Sequence, residues 1–389
     1  MVIQERSRLE KVTSTFRTLS TSLQLELLEC FRDELGDFPK QGGSIPTGSL
    51  ANLIDLAIAM RQGLQVVFIT GAGLSVASGI TPYRYSSKAI WSQFVTTSGE
   101  RTSFKQDPDR YWNHFWLRTH EVPSFINALP NDGHMAITTI LRLTSAVVVT
   151  QNIDRLHTKA GIEPERLVEI HGRLGVYKCV NQASANSKMS KQKSCPYSKH
   201  MVIRLHNLDE YAIEGTSLAA GNLRVKVPRC PGCFAPVMPH ALMFDEQYVG
   251  HDFYGYYKAE RWIRGARVLI FVGTSFSVNI TQDAINIALE KGIRLFNFNV
   301  SRDIRMEETS YSIANEKLSR VGLRPHSTAL DLQSILGPSE ITLPLLSRIL
   351  LELMGRGVAR RWSRPRLVCY QNGTSDAPDE FIGSPALTI

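Results

Sequence analysis

VVFITGAGLSVASGITPYR, residues 66–84, is the stretch on which the fold turns. A β-branched apolar run leads into Gly71-Ala72-Gly73, then into small and hydroxyl residues, then into Arg84. A strand followed by a glycine turn and a helix sets bare backbone N–H groups at a helix start, a geometry that attracts phosphate. It also fits an ordinary tight turn. The usual dinucleotide fingerprint is not met: its third small position falls on Val76, and no acid stands where a ribose contact belongs.

Three further runs share the character of 65–70: SAVVVT (145–150), RVLIFVG (267–273) and RLFNFNV (294–300). Each is short and lacks strict alternation, as strands buried on both faces of a parallel sheet do. Helical stretches separate them, such as SLANLIDLAIAMRQG, ending at Gly63, and ITQDAINIALEKG (280–292). Alternating strand and helix predicts a doubly wound α/β domain with a Rossmann-like parallel sheet.

Two segments break the rhythm. Residues 85–125 are aromatic and helical (DPDRYWNHFWLR). Residues 178–238, rich in Lys, Ser, Asn and Pro, read as an inserted module with little core of its own. The predicted organisation is an N-terminal helical extension (1–44), a catalytic domain (45–340) and a partly disordered C-terminal extension (341–389). The sheet domain is assigned to 45–84, 126–177 and 239–340, the helical module to 85–125 and the metal module to 178–238.

The chain has 389 residues, 43% hydrophobic and 21% charged, with a formal charge of +8. Outside the terminal regions Lys and Arg are dispersed, so nucleic-acid binding is not inferred. No apolar run approaches the ~20 residues of a membrane span, and the N-terminus has no signal-peptide core. Six cysteines are too few for a disulfide scaffold, and four of them, Cys179, Cys195, Cys230 and Cys233, fall in one stretch. That clustering predicts one local site in a reducing, intracellular compartment, with cytoplasm, nucleus and mitochondrion unresolved.

GAGLSVASGI…YR, TQNID (150–154), EIHG (169–172), CPGC (230–233), PHALMFDE (239–246) and VGTSFSV (272–278) occur in one order. Over about residues 45–340 the chain thereby resembles the sirtuin family of NAD-dependent protein deacylases. The resemblance implies a large Rossmann-like domain and a small domain, with NAD between them. Gly71, Ala72, Gly73 and Ser75 would line the NAD phosphate and ribose region, with Arg84 and Tyr83 over the reacting ribose. Gln151 would contact the nicotinamide ribose, and Asn152, Asp154 and Ile80 the nicotinamide, Asn152 counting among the catalytic residues. Gly273, Thr274, Ser275 and Asn299 would meet the adenosine end.

His171 is the implied general base, since imidazole titrates near neutrality. Residues 239–246 would add an extended acyl-lysine peptide by strand pairing. Leu242 would accept the acyl-lysine amide proton, Phe244 would wall the tunnel, and Glu246 belongs to the same substrate set. The implied reaction is attack of the acyl oxygen on the ribose carbon with loss of nicotinamide. His171 then assists a ribose hydroxyl, giving free lysine and 2′-O-acyl-ADP-ribose. Acylated-lysine proteins or peptides are the implied partners of a monomeric enzyme. Mono-ADP-ribosyl transfer, or a weakly catalytic NAD-binding scaffold, are the rival readings.

Departures from the family pattern are local. Gly79-Ile80-Thr81-Pro82-Tyr83-Arg84 stands where most sirtuins read Gly-Ile-Pro-Asp-Phe-Arg, and Asp245 where glycine is usual. Class III members carry a Tyr-x-x-Arg pair that grips acidic acyl groups; here the pair reads Phe115 and Arg118. Cys230 and Cys233 form a good metal knuckle. Cys179 lacks a partner three residues on, so Cys195 becomes the candidate fourth thiolate, with three ligands or an empty site as the alternatives. Zinc bound by four cysteines would be structural.

Overall fold

The computed structural model describes residues 47–80, 98–181, 195–205, 207–300 and 332–355. The expected N-terminal extension, Tyr83, Arg84 and the chain beyond 355 lie outside the described residues.

In chain order the strands are β1 (Val66–Thr70), β2 (Val147–Thr150), β3 (Leu167–Glu169), β4 (Gly172–Cys179), β5 (Ile203–Arg204), β6 (Val237–Ala241), β7 (Val268–Val272), β8 (Arg294–Asn299) and β9 (Leu332–Leu336). The principal helices are α1 (Thr47–Arg61), α2 (Arg101–Gln106), α3 (Asp132–Leu143), α4 (Tyr256–Gly265), α5 (Asn279–Lys291) and α6 (Ser339–Leu353). Six strands form one parallel sheet in the order β3-β2-β1-β7-β8-β9. This is the doubly wound arrangement, with the order reversing between β1 and β7.

The period of two along each strand sorts its side chains between two cores. Val66 and Phe68 join Val148, Ile270 and Phe296 under α1, α3 and α6. Val67 and Ile69 face the other way, with Val149, Leu269 and Phe271 against α4 and α5. Because both faces are covered, the strands show no polar alternation. Gly63 and Gly292 end α1 and α5 in the left-handed region, at φ +75° and +64°. Across the first core Asp55 of α1 pairs with Arg294 of β8.

The second sheet is small and antiparallel, in the order β5-β4-β6. It corrects the expected module boundaries: 177/178 falls inside β4 and 238/239 inside β6, so both strands belong to the small sheet. The boundary at 340/341 likewise falls inside α6, whose Leu343, Leu346, Ile349 and Leu350 are buried in the first core.

The expectation of a cysteine module with little core is also corrected. Residues of the helical insertion (Phe104, Tyr111, Trp112, Phe115, Trp116) share one core with Tyr177, Leu223, Val225, Val237 and Met238. Trp112 stacks on Tyr177 at 5.5 Å and donates to the Val237 carbonyl at 2.8 Å. The Asn113 amide brackets the Val225 backbone, accepting at 2.8 Å and donating at 3.0 Å. Truncating a buried aromatic costs about 3–5 kcal/mol, so neither insertion is independent of the other.

Several histidines are enclosed in these cores. Burial lowers His120 to about 3 and His134 and His251 to about 4, and takes His157 and His240 well below the ordinary value. Such rings remain neutral in the folded chain but take up a proton near 6.5 when unfolded. Their stability contribution is therefore full above about pH 6.5 and lost as pH falls towards about 4. Glu121, raised to about 7 by burial, and Asp154 and Glu169, also raised by burial, work the other way but are outnumbered by the five rings. The expected result is a melting temperature about 10 °C or more lower at pH 5.5 than at pH 7.5, read by scanning calorimetry. A flat profile over that interval would contradict the burial of these rings.

Candidate active site

The reversal of strand order between β1 and β7 opens a crevice at the carboxyl ends of the strands, where open α/β sheets bind ligands. The loops after β1, β2 and β7 meet there. Gly71 N donates to Val272 O at 2.9 Å, Gly73 N to Gly273 O at 2.8 Å, and Gln151 N to Thr70 O at 2.9 Å. The loops after β1 and β7 touch backbone to backbone. A Cβ on Gly73 would stand 2.7 Å from the Gly273 Cα, and one on Gly273 (φ +57°) would stand 2.4 Å from Leu74 N.

This changes the reading of the glycine turn. The N–H groups of Gly71 and Gly73 are engaged within the chain and do not face outward. The following helix, Ala72–Ser78, is a short 3-10 helix with little macrodipole. Among the described residues the N–H groups of Ala72, Thr274 and Ser275 have no hydrogen-bond partner. These donors suit an anionic cofactor, and they border the crevice from both sides.

Side chains knit the same loops. Asn152 donates to Gly71 O at 3.0 Å and to Ser75 Oγ at 3.2 Å. Ser75 Oγ donates to Asp154 at 2.6 Å, and the other Asp154 oxygen accepts Leu156 N at 2.9 Å. Burial raises the Asp154 carboxyl, while the bonds from Ser75 and Leu156 oppose the rise. Gln151 Nε2 donates to Thr274 Oγ1 at 3.3 Å, and Asn299 Nδ2 to Thr274 O at 3.1 Å. Ser275 and Ser277 pair through their hydroxyls at 2.7 Å. Ile80 is buried at the edge of the small-domain core. The described candidates from β1, β2, β7 and β8 therefore gather around one crevice.

His171 follows β3 by two residues. The next residue must be glycine: Gly172 has φ +91°, and a Cβ there would lie 1.9 Å from His240 O of β6. This contact of β4 with β6 places the His171 carbonyl to accept Leu242 N at 2.8 Å. The half-buried ring is lowered to about 4 by desolvation, opposed by a hydrogen bond with the Gln151 backbone. It is neutral at pH 7 and able to accept a proton. Tyr248, absent from the sequence expectations, runs nearly parallel to it at 5.9 Å between centroids, with its hydroxyl 3.4 Å from Nε2. Ile280 N donates to the same hydroxyl at 3.2 Å. The aromatic cluster 248–257 is visible in the sequence, but it carries no spacing rule that would single out Tyr248.

The remaining candidates separate. Leu242 is half-buried and Phe244 is 53% exposed, both beyond the end of β6. The Glu246 carboxylate pairs with buried Lys178 at 2.5 Å. Phe115 is 3% exposed and packs edge-on against Tyr111 at 5.1 Å. Arg118, three residues on, is exposed and has no ion pair among the described residues. The expected pair is thus divided between core and surface.

The four cysteines converge although 54 residues separate Cys179 from Cys233. Their sulfur atoms lie within 4.8 Å of one another, with Cys179–Cys233 at 3.4 Å and Cys195–Cys230 at 3.6 Å. A tetrahedron of thiolates at the usual zinc distance has edges of about 3.8 Å, so the residues fit a closed site of four thiolates. Cys195 is brought in by the short 3-10 turn Pro196–Ser198.

The Sir2 family model matches residues 71–280. The NAD-dependent deacetylase sir2E of Dictyostelium discoideum is 42% identical over 296 residues, 76% of each chain. An NAD-dependent protein deacylase of Pseudomonas putida is 28% identical over 260 residues, 66% of this chain and 87% of its own. Two solved structures are alike in fold. A Sir2 homologue complexed with NAD has a TM-score of 0.53 at 20% identity, covering 77% of this chain and 94% of its own. An ADP-ribose complex of a Sir2 homologue variant scores 0.54 at 21% identity, covering 77% and 97%.

If Cys195 is a ligand, Cys195→Ser should weaken zinc retention more than about tenfold against a chromogenic chelator, as Cys179→Ser should. Full zinc content in the purified Cys195→Ser protein, by elemental analysis, would remove Cys195 from the set.

Proposed function

The chain belongs to the Sir2, or sirtuin, family, and we propose on that basis that it is an NAD-dependent protein lysine deacylase. The observation that carries the reading is the placement of a neutral imidazole, His171, between the crevice loops and the segment 242–246. Its ring meets the Gln151 backbone and its own carbonyl holds Leu242. One side of His171 thus adjoins the cofactor crevice and the other the segment assigned to the acyl-lysine peptide.

NAD supplies an electrophilic ribose carbon whose leaving group is nicotinamide. The chain's part is to orient and to move a proton. Ala72, Thr274 and Ser275 offer backbone donors to the cofactor's phosphates, and Asn299 reaches its adenosine end. Asn152 and Asp154, locked by Ser75, line the nicotinamide pocket with Ile80, and Gln151 meets the adjacent ribose. By family resemblance Tyr83 and Arg84, outside the described residues, are assigned to the reacting ribose. His171 accepts the ribose hydroxyl proton at a ring nitrogen. Burial lowers the cost of keeping that ring unprotonated, and Tyr248 fixes its plane. The Leu242 carbonyl accepts the acyl-lysine amide proton, and Phe244 walls the acyl chain.

Zinc in the four cysteines is structural, since a closed thiolate site leaves no open position for chemistry. Among the described residues no helix is long and apolar enough to cross a membrane. The proposal is completed by an intracellular, monomeric enzyme acting on acylated-lysine proteins.

Acidic acyl groups form a second substrate class, favoured by Arg118, which is exposed and has no ion pair among the described residues. A guanidinium pairs a carboxylate without help from a phenol.

Nicotinamide release with an acetyl-lysine peptide tests the main reading. His171→Ala should lower kcat about 10²- to 10⁴-fold while NAD binding persists, measured by calorimetric titration. Deacylation that survives the substitution would remove His171 as the base. Arg118→Met should lower turnover of succinyl-lysine at least about fivefold more than that of acetyl-lysine. Equal losses would leave Arg118 no part in acyl recognition.

A further inference from the structure

Residues 241–246 are gripped from three directions. Leu242 N is held by His171 O, and Phe244 N donates to Gly99 O at 3.3 Å. Glu246 faces the small sheet. Its Oε2 takes Lys178 Nζ at 2.5 Å and Met243 N at 3.1 Å, and its other oxygen lies 3.9 Å from Arg101 Nε. Lys178 Nζ also donates to Ala241 O at 3.2 Å and to the Tyr254 hydroxyl at 2.7 Å.

Asp245 engages the start of α2. One carboxylate oxygen accepts Arg101 N at 2.6 Å. The other accepts Thr102 N at 3.0 Å and the Thr102 hydroxyl at 2.9 Å. These donors belong to the first turn of α2, where a helix has unpaired N–H groups. The helix's own N-cap, Glu100, makes no capping bond. Asp245, 143 residues beyond Thr102, supplies the cap from another module. Burial alone would raise its carboxyl, but the donors of Arg101 and Thr102 bring it below the usual carboxylate range. An exposed side chain holding three donors in one geometry has given up rotamer freedom that nothing else in its surroundings demands.

We propose that Asp245 is a positioning residue that fixes the peptide-binding segment 242–246 to the helical insertion by capping α2 across the chain. The inference rests on the assignment of 242–246 to the acyl-peptide. Held between Asp245 on α2 and Glu246 on Lys178, the backbone of Leu242–Phe244 keeps a set distance from His171 and presents its carbonyls without prior ordering. Loss of one anchor leaves the segment attached but loose, and the ordering then falls on peptide binding.

Three variants test this: Asp245→Ala, Asp245→Asn, which keeps an acceptor oxygen, and Thr102→Val, which removes one donor at the surface. In Asp245→Ala, the KM for an acetyl-lysine peptide should rise about five- to tenfold while the KM for NAD moves less than about twofold. Asp245→Asn and Thr102→Val should fall between this variant and the unaltered protein. Hydrogen exchange read by mass spectrometry should quicken at least about tenfold in segments 99–104 and 242–246 of Asp245→Ala and not in β1, β2 or β7. Unchanged exchange in both segments, or parallel rises in both KM values, would overturn the positioning role. Absence of turnover by the unaltered protein would instead overturn the deacylase reading and the peptide role with it, whether or not exchange reports the clamp.

Discussion

The contact between the loops after β1 and β7 is the constraint on which the rest depends. Gly73 N bonds Gly273 O, and neither residue has room for a Cβ. Two backbones can approach that closely only where side chains are missing from both. The contact lies at the reversal of the strand order, so it sets the floor of the crevice. Asn152 and Ser75 then bind the β2 loop to it, and Asn299 closes the β8 side through Thr274. The glycines serve the protein's own packing, and the N–H groups of Ala72, Thr274 and Ser275 beside them are left without partners among the described residues.

A second close approach governs the small domain. Gly172 lets β4 run against His240 O of β6. That pairing brings His171 and the segment 242–246 together through one backbone bond. The two insertions, far apart in sequence, close a shared core around Trp112 and Tyr177. The four-cysteine cluster belongs to the same core and is joined to segment 242–246 through Lys178, the neighbour of Cys179. Adjacent carboxylates then fasten 245 to the start of α2 and 246 to Lys178 of β4, with Arg101 of α2 at 3.9 Å from the second Glu246 oxygen.

Much of the sheet was legible. The runs at 65–70, 145–150, 267–273 and 294–300 are strands because both their faces are buried, and an unbroken apolar run signals that burial. β9 (LQSIL) escaped notice, since its exposure alternates and its composition is mixed. The gathering of 71–75, 151–154 and 273–275 was legible as motifs in order. The destination of each polar atom was not. Nothing local distinguishes a glycine N–H that meets phosphate from one that meets a carbonyl of β7, or Glu246 facing a peptide from Glu246 facing Lys178. Tyr248 could not be singled out from its aromatic neighbours, because its relation to His171 is one of space alone.

By itself, the sequence determined what short-range physics can encode: a doubly wound sheet, the places where helices stop, a stretch holding four cysteines, and a histidine beside a glycine. Tertiary structure alone decided the partners. It brought Cys195 to the cluster, enclosed Phe115 while leaving Arg118 outside, joined two insertions in one core, and turned Asp245 into a cap for a helix 143 residues upstream. The reason is that periodicity and turn chemistry act over a few residues, whereas hydrogen-bond and ion-pair partners are chosen by which surfaces the folded chain brings within about 3 Å.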